Sequence, residues 1–312
     1  MIYQDYRFHV PPQKQVRVIT DTDAKNEADD QFCVVQTMLS PKLDNVGFIA
    51  AHYGTRHADG MQRSYAELET IFDKMGFPKE GMLYHGAPHA LPSAKEPIDS
   101  EGARLIIREA MKDDPRPLYV TFLGPLTDMA SALLMEPRIA NRLTVIWIGG
   151  APYPDGGDEF NMLNDVNAAN VVFGSQAQVW QVPKNVYEMM SVSLAELEYR
   201  VRPCGDIGAY LCDQLDEHSA EPAAVNNAFR TGETWVLGDS PAVGLILYEH
   251  RFEFDWVGAP RMTPEGFYRH DPRNRPIRVY RRIDSRLILE DMYAKLALFH
   301  QRHGARMGDR QP

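Results

Sequence analysis

The chain has 312 residues, 44% hydrophobic and 24% charged, with a formal net charge of −10 at pH 7, which is enough apolar material for one large α/β core. That acidic balance argues against a phosphate-backbone ligand, so no nucleic-acid partner is expected, and no apolar run is long enough to span a membrane. The three cysteines, Cys33, Cys204 and Cys212, form neither a zinc pattern nor a disulfide framework, and the first residues lack the basic start and apolar stretch of a secretion signal, so the expected location is cytoplasmic.

Val16–Thr20 is a short β-branched run that predicts a buried strand. The ten residues Asp21-Thr22-Asp23-Ala24-Lys25-Asn26-Glu27-Ala28-Asp29-Asp30 follow it and carry five carboxylates and one carboxamide. Phe32, Val35 and Leu39 then have the spacing of a helix's inner face. Asp29 and Asp30 suit a helix N-terminus, but capping does not account for Asp21 and Asp23 at the end of an apolar strand. Carboxylates this crowded must be solvated, protonated or neutralised, and a hard cation held by oxygens does the last most economically.

A second strand is expected at Val46–Ala51 and a helix at Gln62–Met75, ending before Gly76. His52 ends that strand and is expected to face the same crevice as the acids. Ile98–Met111 reads as a helix capped by Asp99 or Ser100, and Leu118–Leu123 as a strand closed by Gly124-Pro125. The helix Asp128–Met135, the strand Leu143–Ile148, the helix Val166–Phe173 with Asn164 or Asp165 as its cap, and the strand Val179–Val182 continue the alternation. Between them, Gly156-Gly157-Asp158-Glu159-Phe160-Asn161 reads either as a capped turn or as a loop presenting Glu159 and Asn161 to one ligand, with Phe160 as an inward anchor.

Residues from about 191 to 260 are expected to be a mostly helical insertion, with helices at Leu194–Val201, Ile207–Leu215 and Pro222–Leu237. Asp239 follows, as a cap or a ligand, before a helix Ala242–His250. Pro276–Tyr280 and Ser285–Phe299 read as a closing strand and helix, and Arg302–Pro312 as a frayed tail. The βαβα rhythm predicts a single α/β domain with a mainly parallel, Rossmann-like central sheet and helices on both faces. In such a sheet ligands bind outside the carboxyl ends of the strands, where the acidic segment, Gly124 and Gly149-Gly150 all fall.

Five ordered elements carry a resemblance: Asp21-Thr22-Asp23 with Asp29-Asp30; Gly124-Pro125-Leu126-Thr127-Asp128 with Pro137-Arg138-Ile139-Ala140; Gly149-Gly150; Glu159-Phe160-Asn161 with Asp165 and Ala168-Ala169; and Asp239-Ser240-Pro241. Together they resemble the calcium-dependent inosine–uridine-preferring nucleoside hydrolases over most of residues 16–300. The resemblance implies hydrolysis of the N-glycosidic bond of ribonucleosides, or of a related ribosyl compound, through an oxocarbenium-like transition state. It implies Ca²⁺ held by Asp23, Asp30, Asp239 and the backbone carbonyl of Leu123, with Asp23 also activating a metal-bound water. Asp29, Glu159 and Asn161 would hold the ribose hydroxyls, and a homodimer or homotetramer is implied.

Three features depart from the family pattern. The stretch from Asp23 to Asp29 is longer than usual, so Asn26 or Glu27 would contact metal or sugar. Gly238 stands where a leaving-group histidine is common, which either shifts that role to His52, Tyr53 or Trp235 with water or leaves it unfilled. No asparagine follows the second strand. Two other functions stay open at this point: a non-catalytic nucleoside- or ribose-binding protein on the same fold, and a haloacid-dehalogenase-like Mg²⁺ phosphatase using Asp21 and Asp23.

Overall fold

The computed structural model describes residues 1–220, 232–248 and 252–308. In chain order the strands are β1 (Val16–Thr22), β2 (Leu43–Ala50), β3 (Leu83–His85), β4 (Leu118–Phe122), β5 (Thr144–Ile148), β6 (Gln178–Val182), β7 (Ser191–Ser193), β8 (Thr234–Val236), β9 (Glu253–Gly258), β10 (Arg261–Met262), β11 (Tyr268–Arg269) and β12 (Pro276–Arg282). Helices α1 (Asp30–Met38), α2 (Gly60–Met75), α3 (Glu101–Met111), α4 (Thr127–Met135), α5 (Phe160–Asn164), α6 (Val166–Gly174), α7 (Lys184–Tyr187), α8 (Leu194–Arg200) and α9 (Gly205–Ala220) intervene, followed by helices Pro241–Leu247 and Ser285–Gly308.

Eight strands form one sheet in the order β3-β2-β1-β4-β5-β6-β12-β9. Every pairing in it is parallel except β12 with the edge strand β9. This matches the expected mainly parallel sheet. Every residue of β1 is buried, Arg17 included, whose guanidinium donates to the Glu109 carbonyl, as a strand covered on both faces requires. The strand order reverses between β1 and β4, and Asp21 is registered with Ile49 on one side and Phe122 on the other. The chain therefore leaves β1 and β4 at the point where an open α/β sheet leaves a crevice.

Two apolar cores flank the sheet. One gathers Phe32 and Val35 of α1 and Leu39 just after it with Phe72, Leu211 and Leu296. The other gathers Ile106 of α3, Met129 of α4 and Phe173 of α6. Helix α1 is buried at every position, so its first residues are fixed by packing on all sides. Ser100 caps α3 by accepting the Ala103 N–H at 2.9 Å, a contact worth about 1 kcal/mol.

Three expectations need correction or narrowing. The helix at Pro222–Leu237 falls largely outside the described residues, and its end is instead strand: Thr234–Val236 pairs antiparallel with Ser191–Ser193. A threonine, a tryptophan and a valine in sequence favour that pleated pairing. Of the expected frayed tail, residues 302–308 continue the last helix, because Phe299 packs on Tyr3 and Phe77 and Arg302 pairs with Asp5 at 3.3 Å. Residues 309–312 lie outside the described set. Finally, between 191 and 260 the chain carries strands β7, β8 and β9 alongside its helices, and β9 closes the main sheet.

Candidate active site

Asp23 is the first residue beyond β1, and its carboxylate is buried with Oδ2 lacking any hydrogen-bond partner. Gly124, just past β4, comes so close that a Cβ there would lie 2.9 Å from Asp23 Cγ. From Asp23 the chain turns through an Asn26 N–H to Asp23 carbonyl bond of 2.8 Å and reaches Asp29, the residue preceding α1. Asp30 opens the helix and accepts a hydrogen bond from the Thr22 hydroxyl. Asp239 arrives from the far side, two residues after Leu237, whose N–H is held by the Met190 carbonyl at 3.0 Å. Carboxylate oxygens of Asp29, Asp30 and Asp239 lie within 4.8 Å of one another, all in buried residues.

Burial first, and mutual repulsion second, push Asp23, Asp29 and Asp239 well above the usual carboxylate range. Asp30 is raised by burial to about 6, the Thr22 and Asp239 hydrogen bonds holding it from going further. Such a cluster is unfavourable while it carries charge without a counter-ion. Its donors are all oxygens, with Oδ2 of Asp23 unsatisfied, and this is the chemistry a hard divalent cation requires.

The long acidic loop is braced from below. The Gln31 amide donates to the Ala24 carbonyl at 2.5 Å and to Glu67 at 3.1 Å. Lys25 pairs with the second oxygen of Glu67 at 3.2 Å, and the Tyr210 hydroxyl donates to the first at 2.6 Å. Buried Glu67 of α2 thus ties the loop to α9.

The opposite wall comes from β5 and α5. Glu159 caps α5 and accepts from the N–H groups of Gly150 at 2.7 Å, Met162 at 2.9 Å and Asn161 at 3.2 Å. Tyr187 of α7 donates its hydroxyl to the same carboxylate at 3.1 Å. Burial raises the Glu159 pKa, and these bonds to its charged form limit the rise. The Asn161 amide donates to the carbonyls of Leu123 at 2.6 Å and Ile148 at 2.9 Å, joining the ends of β4 and β5. The expected cap of α6 is observed at Asp165, which accepts the Ala168 N–H at 2.9 Å, while Glu159 caps α5 and lines the cleft with Asn161.

One cleft is lined by Asp23, Asn26, Asp29, Asp30, Leu123, Glu159, Asn161 and Asp239, together with Glu27 and Phe160. Eight of the nine candidate site residues thus converge. The ninth, His52, does not line it. It is 1% exposed, accepts the Gly54 N–H at Nδ1 (3.0 Å), and bonds through Nε2 to Thr127 Oγ1 at 2.9 Å. Thr127 in turn donates to Asp165 at 2.8 Å. Burial, with the charge of His89 adding, pushes the His52 pKa down to about 4, so the ring is a neutral link in a buried chain. Tyr53 and Trp235 are also absent from the cleft lining.

Asp21 is fully buried beneath the cleft, its pKa raised by burial and then by Asp128. No phosphorus can approach it, which removes the phosphatase alternative. Sequence reasoning missed Tyr187 and Ile148 as lining residues. Ile148 ends β5 beside Gly149 and was findable as a strand terminus. Tyr187 lies in a one-turn helix with no periodic signal. A Cβ at Gly238 would meet the Tyr187 ring at 3.2 Å and Asp29 Oδ2 at 3.3 Å, so the tyrosine fills the space a side chain at 238 would need.

A family model for the inosine-uridine preferring nucleoside hydrolases matches residues 18–280. The chain belongs to that family. This nucleoside hydrolase is 24% identical over 228 residues to a protein of Arabidopsis thaliana named probable uridine nucleosidase 2, covering 64% of the chain and 69% of the relative. It is 31% identical over 121 residues to the inosine-uridine preferring nucleoside hydrolase of Leishmania major, covering 36% and 38% of the two chains. Among solved structures, the purine-preferring ribonucleoside hydrolase of Gardnerella vaginalis superposes with a TM-score of 0.76 at 20% identity, over 91% of this hydrolase and 99% of that chain. The effector XopQ, solved with adenosine diphosphate ribose, shares the fold at a TM-score of 0.64 and 14% identity, over 93% and 94%.

Proposed function

We propose that this enzyme hydrolyses the N-glycosidic bond of ribonucleosides with Ca²⁺ as its resident ion. The observation that carries the reading is the convergence of Asp23, Asp29, Asp30 and Asp239 on one side of a cleft with Glu159 and Asn161 on the other. Asp23, Asp30, Asp239 and the Leu123 carbonyl are the residues that would hold the ion. When bound, Ca²⁺ supplies positive charge that acidifies water and anchors ribose hydroxyls.

The chain's own groups do the rest. Asp23 takes the proton of the attacking water, its buried Oδ2 having no other hydrogen-bond partner. Asp29, Glu159 and Asn161 orient the ribose through its hydroxyls, and Asn26 adds a contact from the lengthened loop. As the C1′–N bond weakens, positive charge grows on the sugar, and the surrounding carboxylates and amide oxygens stabilise it. The relatives named for uridine, inosine and purine ribonucleosides make those nucleosides the first substrates to try. On the same reading it is an enzyme of nucleoside catabolism, working in the cytoplasm as a homodimer or homotetramer.

The test is ribose release from uridine, inosine and adenosine, with Ca²⁺ supplied or chelated, for wild type and Asp23→Asn. Release that stops on chelation and falls at least about 100-fold in the variant supports the assignment. Tight binding of Ca²⁺ and ribose without any release would instead establish the non-catalytic binding protein.

A further inference from the structure

The hydrolase reading gives the departing base no cationic partner among the described residues of the cleft lining. Among the described residues lining the cleft there is no histidine, lysine or arginine. The one phenol, Tyr187, is held protonated by burial and by Glu159, and spends its hydrogen on that carboxylate. A base that leaves unprotonated carries negative charge, and the carboxylate floor repels it towards the rim.

At the rim stands Arg56, in the exposed loop that follows β2. Its guanidinium lies 4.3 Å from the centroid of the Phe160 ring and donates through Nη1 to Asn26 Oδ1 at 3.2 Å. Both contacts are to residues of the cleft lining. The side chain is therefore stacked and oriented across the mouth, with one of its five N–H donors on Asn26. A guanidinium is the group best suited to meet a flat, oxygen-bearing anion edge-on while lying on an aromatic face. Asn26, in the lengthened stretch of the acidic loop, is what steadies it.

We propose that Arg56, stacked on Phe160 and steadied by Asn26, is the leaving-group site, stabilising the charge of a base that departs as an oxygen-bearing anion. This rests on the hydrolase reading. In the step it assists, the C1′–N bond breaks with both electrons passing to the base. C1′ gains the bond to the water oxygen, and Asp23 receives the water's proton. The base anion, uracil N1 with its charge shared on to O2 and O4 for example, meets the guanidinium and afterwards takes a proton from solvent. Bases that spread charge on to a carbonyl oxygen are favoured over adenine.

The experiment compares wild type, Arg56→Ala and Arg56→Lys on two Ca²⁺-supplied substrates, uridine and 4-nitrophenyl β-ribofuranoside, whose nitrophenolate leaves without help. Loss of the donor in Arg56→Ala should lower kcat for uridine about 100-fold, the scale of removing one charge-stabilising donor. The nitrophenyl riboside should change less than about threefold, and Arg56→Lys should recover part of the uridine rate. Equal loss on both substrates, or no loss on uridine, overturns the Arg56 assignment while leaving the hydrolase intact. A wild type that cleaves the nitrophenyl riboside but no nucleoside also overturns it, since leaving-group help is then missing. A wild type inert to both substrates overturns the hydrolase reading itself.

Discussion

Replacing Asp239 by asparagine should stabilise the metal-free protein while abolishing metal binding. Its carboxylate shares a buried cluster with those of Asp29 and Asp30, with oxygens within 4.8 Å. Two unit charges at that separation repel by about 3 kcal/mol at an effective dielectric of about 20. Facing two such neighbours in a buried site, Asp239 holds its proton to higher pH than an ordinary carboxyl, and each pH unit of that rise costs about 1.4 kcal/mol. Asparagine preserves the shape and removes that cost, less what its amide loses in an imperfectly bonded site. The net gain should be about 2 kcal/mol, or roughly 3 °C in Tm for a domain of this size.

The pH dependence has a definite sign. Folded-state pKa values raised above the unfolded ones favour the native state at low pH. That contribution is lost as pH rises from about 4 through about 6 for Asp30, and beyond for Asp29 and Asp239. Calorimetric melts in chelator should therefore show Asp239→Asn ahead of wild type at pH 8 and level with it at pH 4.5. With saturating Ca²⁺ at pH 8 the order should invert, because ligand binds only the wild-type native state. An asparagine variant that melts at or below wild type in chelator at pH 8 would refute the repulsion argument.

Glu67→Gln, which loosens the brace between Lys25, Gln31 and Tyr210, should weaken Ca²⁺ binding about tenfold by titration calorimetry, the scale seen when support behind a metal site is lost; unchanged affinity would mean the loop holds itself. Gly238→His should lower Tm by an amount equivalent to about 1–3 kcal/mol, the usual cost of overpacking, since the Tyr187 ring already stands 3.2 Å from where its Cβ would be. His52→Gln should leave the pH–rate profile unshifted between pH 5 and 8, because the ring is neutral there with a pKa of about 4; loss of an inflection in that range would return His52 to the chemistry.

Much of this architecture was legible because the local signals agree. The mainly apolar runs at Val16–Thr20, Leu118–Leu123 and Leu143–Ile148 sit in the central parallel sheet, where burial on both faces favours near-continuous apolar sequence interrupted only by residues such as Arg17. The acidic loop was legible because so many carboxylates in ten residues have no bland explanation. What escaped notice depends on distant packing. Thr234–Val236 is a strand because Ser191–Ser193 is there to pair with it, and three residues carry no period of their own. His52 stands at a strand end as expected, yet Thr127 and the Gly54 N–H turn its ring away from the cleft. Tyr187 entered the site through a single turn of helix after β6, where only three-dimensional proximity to Gly238 and Glu159 reveals its place.

Gly124 has no functional group, and yet its missing methyl determines where the proposed base can stand. With a Cβ there only 2.9 Å from Asp23 Cγ, any substitution must displace either the β4 turn or the carboxylate itself. A deep mutational scan should consequently show position 124 to be as intolerant as position 23, for a wholly different reason. Conservation at such a site would record a volume that has to stay empty, and a search for reactive groups alone would pass over it.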